Sequence, residues 1–281
     1  MTAKTEMAGI ARIGVEFICG LGIEPIRFIE DVAQLGCRHV GLALEPIVTC
    51  KGIDGAWSLR SDPQLRREVA ASLRETGVSI SLGDGFVAMP EVQLPPRFAD
   101  DMGLLAELGA PCVNLVSVDA DASRAFDHCG NFAELAASHG MRATVEFLPG
   151  LPVINDLQTA VEAVRHVARP DFGIMIDAMH LFRSRGSVAD VARLEPGQIG
   201  YVQLCDVPQI STFESYADEA RFERLAPGEG ELPLQALIRA LPADLLLGLE
   251  LPMRSAAERG TRMPERLASA VSATLALLRK V

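Results

Sequence analysis

The stretch ATVEF at 143–147, DLQTAVEAVRHV at 156–167 and GIMI at 173–176 decides the fold. It reads as a buried strand, an amphipathic helix and a second buried strand. Each apolar run is too short for a helix, and the segment between them repeats its apolar residues at a period near 3.6. The same unit recurs along the whole chain. Further short apolar runs lie at Ile13–Ile18, His39–Leu44, Val78–Leu82, Cys112–Val116, Gly200–Leu204 and Leu245–Leu251. Helical periodicity fills the intervals at Pro25–Gln34, Asp62–Glu75, Pro96–Leu108, Asn131–Ser138, Leu232–Leu241 and Pro264–Leu278, and more weakly at Val188–Leu194. Asp62-Pro63 is a helix start, with a capping carboxylate followed by proline in the first turn. Gly77 and Gly140 close helices just before the next strand.

Eight strands alternating with about eight helices leave two architectures, an open doubly wound sheet or a closed (β/α)8 barrel. The regular spacing favours the α/β TIM barrel. The first strand leads into Gly20-Leu21-Gly22, which lacks the third glycine of a dinucleotide-binding turn. A chain of 281 residues suits one barrel, and no Ser/Gly-rich linker divides it, so residues 1–281 are expected to form a single domain.

Composition narrows the function classes. Hydrophobic residues make up 49% and charged residues 22%, enough for a sizeable core. The net charge of −11 repels phosphate backbones and anionic lipid, which argues against nucleic-acid and membrane partners. Met1–Gly9 carries Glu6 and no apolar segment of the signal-peptide kind. The six cysteines contain no C-x-x-C pair and read as buried, reduced thiols, so a cytoplasmic location is expected. A small-molecule substrate is the expected partner, with further copies of the chain in a homo-oligomer the only macromolecular one.

In a barrel, chemistry sits at the C-terminal ends of the strands. Four consecutive strands carry a metal-capable residue there: Glu146 in Thr144-Val145-Glu146-Phe147, Asp177 after Ile174-Met175-Ile176, Gln203 in Tyr201-Val202-Gln203-Leu204, and Glu250 in Gly248-Leu249-Glu250-Leu251. A polar group inside an apolar strand is costly unless it is paired or bound to a metal. Each residue alone has a plain structural explanation, a salt bridge, a cap or a core amide; together, on neighbouring strands, they can converge. Two glutamates, an aspartate and an amide carbonyl form an all-oxygen shell, which suits Mn²⁺ or Mg²⁺ better than Zn²⁺. Such an ion would polarise a bound hydroxyketone as a Lewis acid and stabilise an enediolate.

Glu146 on strand five, Asp177-x-x-His180 on strand six, YVQLCD at 201–206, PGEGELP at 227–233 and LELP at 249–252 resemble the xylose isomerase-like TIM-barrel superfamily. That group includes sugar phosphate isomerases and epimerases, ketose 3-epimerases, inosose-handling enzymes, dehydroshikimate dehydratases and endonuclease IV. The resemblance covers essentially the whole chain. It implies that Glu146, Asp177, Gln203 and Glu250 bind one divalent metal, that His180 contacts a substrate oxygen, and that Glu146 and Glu250 are the acid/base pair of an isomerase or epimerase in carbohydrate metabolism.

The departures from the family pattern are specific. The third ligand is often histidine and here is Gln203, as in dehydroshikimate dehydratases. Those dehydratases carry a histidine two residues after the strand-five glutamate, where this chain has Leu148. A metal-dependent lyase of that dehydratase type is the alternative activity. No lysine lies on strands five to eight, which disfavours Schiff-base chemistry. Five histidines and an acidic surface disfavour a three-metal nuclease. Arg183, in an expected loop after strand six, and Arg224, before the PGEGELP segment, are candidate substrate-binding cations. Glu45, Asp84 and Asp119 follow strands two to four and read more readily as turn residues.

Overall fold

The computed structural model describes residues 9–281 except 54 and 92. The reading of the first nine residues, apart from Gly9, therefore lies outside the described residues. Eight parallel strands close in sequence order into a barrel: β1 (Ile13–Val15), β2 (His39–Ala43), β3 (Ser79–Ala88), β4 (Cys112–Ser117), β5 (Arg142–Glu146), β6 (Phe172–Asp177), β7 (Ile199–Leu204) and β8 (Leu247–Leu249). β8 pairs with β1 through Leu247 with Ile13 and Leu249 with Val15, so no edge remains.

Side chains alternate across each strand, and the two faces differ in chemistry. Outward residues such as Val40, Val113, Val145, Ile174, Val202 and Leu249 are fully buried and join the apolar layer beneath the helices. Phe86, Phe98 and Phe132 meet edge to face in that layer, with centroids 5.0, 5.2 and 6.1 Å apart. Each such pair adds about 0.5–1.5 kcal/mol beyond its buried area. Inside the barrel, Leu82, Cys112, Met175 and Tyr201 form a separate small cluster. Polar side chains and glycines make up much of the rest of the interior.

The helix Pro25–Gln34 occupies the interval expected from periodicity, and Pro63–Thr76, Leu157–Val167 and Met263–Leu278 begin or end within a residue of it. Asp62 caps its helix by accepting from the Gln64 and Leu65 amides. Three expectations need correction. The helix expected at Asn131–Ser138 begins at Ala122, capped by Asp121, because its polar first turns hide the periodicity. The expected loop after β6 is a helix, Ala178–Arg183, capped by Asp177 itself. A further helix, Tyr216–Phe222, follows β7, where no helix was expected. All six cysteines are free and buried. No helix among the described residues is long and apolar enough to cross a membrane.

Candidate metal and acid/base site

Register brings the four expected ligands together. Asp177 is the last residue of β6 and lies opposite Gln203 of β7, Gln203 lies opposite Gly248, and Glu250 follows β8 directly. Glu146 ends β5. All four are buried, Asp177 completely. His180 sits one turn into the helix that Asp177 caps, its amide donating to Asp177 Oδ1 at 2.8 Å. That short helix aims the His180 ring back at the strand ends. Its Nε2 is 3.2 Å from Glu146 Oε1 and its Nδ1 is 3.5 Å from Asp177 Oδ1. Asp177, His180 and Glu250 each place one ligand atom within 4.8 Å of the others.

Arg224 is the countercharge of this cluster. Its Nη1 lies 2.7 Å from Asp177 Oδ2 and 2.5 Å from Glu250 Oε2, and its Nε donates to the Ala220 carbonyl at 2.9 Å. Only 4% of the residue is exposed, so it is a built-in ion partner on the wall of the site. Burial alone would raise the Asp177 pKa, but His180 and Arg224 outweigh it and hold it near 2. Glu250 goes the other way: burial, with the charges of Asp177, Glu146 and Glu16, pushes it well above the usual carboxylate range despite Arg224.

The arrangement fits a divalent cation. Gln203 Oε1 is buried without a hydrogen-bond partner, and Glu250 Oε2, though ion-paired, has no well-directed hydrogen bond. Unmet acceptors beside buried carboxylates are what a hard cation satisfies. Among the described residues, Asp177, His180 and Glu250 form the mutually close group, with Gln203 on the strand next to Asp177 and Glu146 beside His180.

A cavity of about 530 Å³ opens onto Glu146, His180, Arg224 and Glu250. Much of its wall is apolar, from Ile18, Ile47, Phe86, Val87, Leu148 and Leu151, with Asp84 on the β3 side and Arg221 on the β7 side. Arg183, expected to bind substrate, faces elsewhere. It forks onto Glu219 at 2.7 and 3.1 Å and donates to the Pro208 and Gln209 carbonyls. It braces the helix Tyr216–Phe222 and does not line the cavity. Asp119 is taken up by Arg124, and Glu45 pairs with Arg60 and accepts from Ser58. Asp84 does reach the cavity, its carboxyl raised to about 6 by burial and by Glu146.

Several participants escaped the reading of the sequence. Asn114 of β4 donates to Glu146 Oε2 at 2.9 Å and accepts from Thr144. Tyr216 hydrogen bonds His180 Nδ1. Asp206 accepts the amides of Val207, Gly228 and Leu232, which ties the PGEGELP segment behind Arg224. Glu16, following β1, is 3% exposed, and burial, its largest cause, pushes its carboxyl up to about 8. Glu16 did carry a signal: a glutamate inside the apolar run Ile13–Ile18, the same mark that pointed to Glu146 and Glu250. Tyr216 carried none.

The family profile described as xylose isomerase-like TIM barrel matches residues 29–271. A 3-dehydroshikimate dehydratase of Pseudomonas aeruginosa is 28% identical over 146 residues, 50% of this chain and 23% of that protein. An inosose isomerase of Halalkalibacterium halodurans is 23% identical over 155 residues, 54% of this chain and 49% of that protein. The matches thus span less than half the length of these relatives. Among solved structures, the IOLI protein with a bound zinc atom superposes with a TM-score of 0.76 at 15% identity, covering 96% of this chain and 98% of that one. A D-psicose 3-epimerase of Clostridium cellulolyticum gives 0.69 at 15% identity, covering 96% and 99%. With the closed barrel and the converging strand ends, the match along most of the chain shows that this protein belongs to the xylose isomerase-like TIM-barrel family.

Proposed function

We propose that the chain is a divalent-metal-dependent isomerase or epimerase of a sugar, polyol ketone or related hydroxy-carbonyl compound. The observation that carries this reading is a pair of glutamates from strands three apart, Glu146 and Glu250, facing one cavity with Asp177 and His180 between them. Glu146, Asp177, Gln203 and Glu250 would hold Mn²⁺ or Mg²⁺, which supplies Lewis-acid polarisation of a carbonyl and acidifies the neighbouring C–H. The two glutamates divide the proton work. Glu146, held by Asn114, removes a proton from the α-carbon on its side of the substrate. Glu250, on the opposite side of the cavity, returns one. His180, steadied by Tyr216, holds a substrate hydroxyl, and Arg224 offers a fixed positive charge to a substrate oxygen.

The test is exchange of the substrate α-proton with solvent deuterium across a panel of ketoses and inososes, with and without Mn²⁺. Metal-dependent exchange is expected, reduced about 10²–10⁴-fold in Glu146→Gln and in Glu250→Gln. Absence of exchange from every compound in the wild-type protein would overturn the assignment.

A second reading is a lyase that dehydrates a cyclic hydroxyketone acid, as the name of the Pseudomonas relative suggests. The apolar cavity wall favours it, because it offers little to the far hydroxyls of an open polyol, while Arg221 at the mouth suits a carboxylate. Formation of protocatechuate from dehydroshikimate, followed by absorbance, separates the two.

A further inference from the structure

Glu16 is the acidic group of the barrel interior that the proposed chemistry does not use. Oε1 accepts from the Tyr201 hydroxyl at 2.9 Å, and Tyr201 is 2.9 Å from Ser81 Oγ, which reaches the Val40 carbonyl at 3.1 Å. Gln203 lies beside the Glu16 carboxyl: Glu16 Oε1 fills the space over Gly248, the residue opposite Gln203 in the ladder, and the Gln203 side chain favours the charged form of Glu16 as a donor would. The neighbouring strands make room for it. A Cβ at Gly41 of β2 would overlap Oε2, and one at Gly248 of β8 would overlap Oε1. The other end of Gln203, Oε1, is buried and unpartnered, on the strand between Asp177 and Gly248.

An amide has two orientations of nearly equal shape and opposite chemistry. One offers a cation an oxygen, and the other offers it an NH₂ that cannot ligate. A metal-bound imidazole has its orientation set by the partner of its other nitrogen. An amide ligand has the same requirement. We propose that Glu16 is the positioning residue for Gln203: it binds the NH₂ end and so turns the carbonyl oxygen toward Asp177, His180 and Glu250 as a cation ligand. This inference rests on the metal-dependent reading of the site. It does not depend on whether Glu16 is charged. When the carboxyl is neutral, its proton faces Tyr201, the hydroxyl relay runs through Ser81 to the Val40 carbonyl, and one oxygen still accepts from Gln203.

The test combines Mn²⁺ titration with nuclear magnetic resonance of the Gln203 side-chain amide in metal-free protein, that signal being identified by its loss in Gln203→Ala. Glu16→Met keeps the bulk and removes the acceptor. It is expected to return the Gln203 NH₂ signals toward those of a free amide and to weaken Mn²⁺ binding about 10–100-fold. Its melting temperature, read in parallel, should fall by no more than the loss of one buried acceptor costs, so the change in affinity is not unfolding. Glu16→Gln keeps an acceptor and should bind Mn²⁺ within about threefold of wild type, a pattern that a packing role would not produce. In a Gln203→Ala background the effect of Glu16→Met should vanish. If Glu16→Met does not fold, Glu16→Asp, which withdraws the carboxyl by one methylene, is read in the same way. Unchanged Gln203 signals in the Glu16 variant, or an equal loss of Mn²⁺ affinity with and without Gln203, would overturn the proposal and leave the metal reading intact. A wild-type protein that takes up no Mn²⁺ would overturn both.

Discussion

At the scale of single residues, Arg224 decides how the acidic cluster survives burial. Asp177 and Glu250 lie in the barrel mouth with almost no access to water, and the guanidinium between them supplies the opposing charge. Arg224→Met therefore leaves two buried carboxyls without their arginine countercharge and should destabilise the metal-free protein by about 3–5 kcal/mol. Much of that loss should return at saturating Mn²⁺, which restores positive charge at the same place. Urea unfolding with and without the ion reads both quantities. Asp84 gives a pH-dependent counterpart. Its carboxyl titrates near 6 in the folded protein, against 3.8 for the free side chain, because burial and Glu146 disfavour the charge. A pKa raised on folding stabilises below the unfolded value, and that stability is lost as pH rises through the folded one. Metal-free Asp84→Asn should thus gain melting temperature over wild type at pH 8, by at most about 3 kcal/mol of stability, and gain little at pH 4. An equal gain at both pH values would contradict the assignment.

At the scale of elements, strand ends were legible and the pieces that steer side chains were not. Glu146, Asp177, Gln203 and Glu250 stood out because each interrupts an apolar run. Arg183 is expected in the loop after strand six, within Leu181–Gly186. The first three residues of that segment are instead the end of the six-residue helix Ala178–Arg183, which Asp177 caps. Helicity turns Arg183 away from the mouth and onto Glu219, so that this pair clamps the helix Tyr216–Phe222, which carries Tyr216 to His180. Arg183→Ala should accordingly raise hydrogen exchange across Tyr216–Phe222 while the strands stay protected, and cost about 1–3 kcal/mol. Unaltered exchange in that helix would assign Arg183 no bracing role.

At the scale of the whole molecule, closure makes the interior a container for polar groups. Helices cover the apolar outer face of the sheet, so the strands no longer need their inner face for hydrophobic burial. The upper interior can then hold Glu16, Asn114, Glu146, Asp177, Gln203 and Glu250. These groups are satisfied by one another and by Arg224, and incompletely, at Gln203 Oε1 and Glu250 Oε2. Mn²⁺ at a hundred times its dissociation constant should add about 2.7 kcal/mol to the stability of the barrel and raise its melting temperature by several degrees. Scanning calorimetry over a Mn²⁺ series measures this, and Asp177→Asn should abolish most of the rise.

The eight-unit repeat and the polar strand-end residues Glu146, Asp177, Gln203 and Glu250 are legible from hydrophobic period, because a strand buried on its outer face must be apolar at every second residue, and the regularity of the repeat favours closure over an open sheet. A polar residue in such a strand is then conspicuous without coordinates. What the period cannot express is distance across the barrel. Glu16 and Gln203 are 187 positions apart in the chain and are neighbours around Gly248 only because β8 closes onto β1. Arg224 and Tyr216 come from a connection without strand periodicity, and their aim depends on Asp206 holding the segment that follows and Arg183 pinning the helix before it. The sequence determined which chemistry is available at the strand ends. The tertiary structure decided which of those groups are paired and which oxygens are left without a hydrogen-bond partner, because each depends on neighbours brought together only by closure of the sheet.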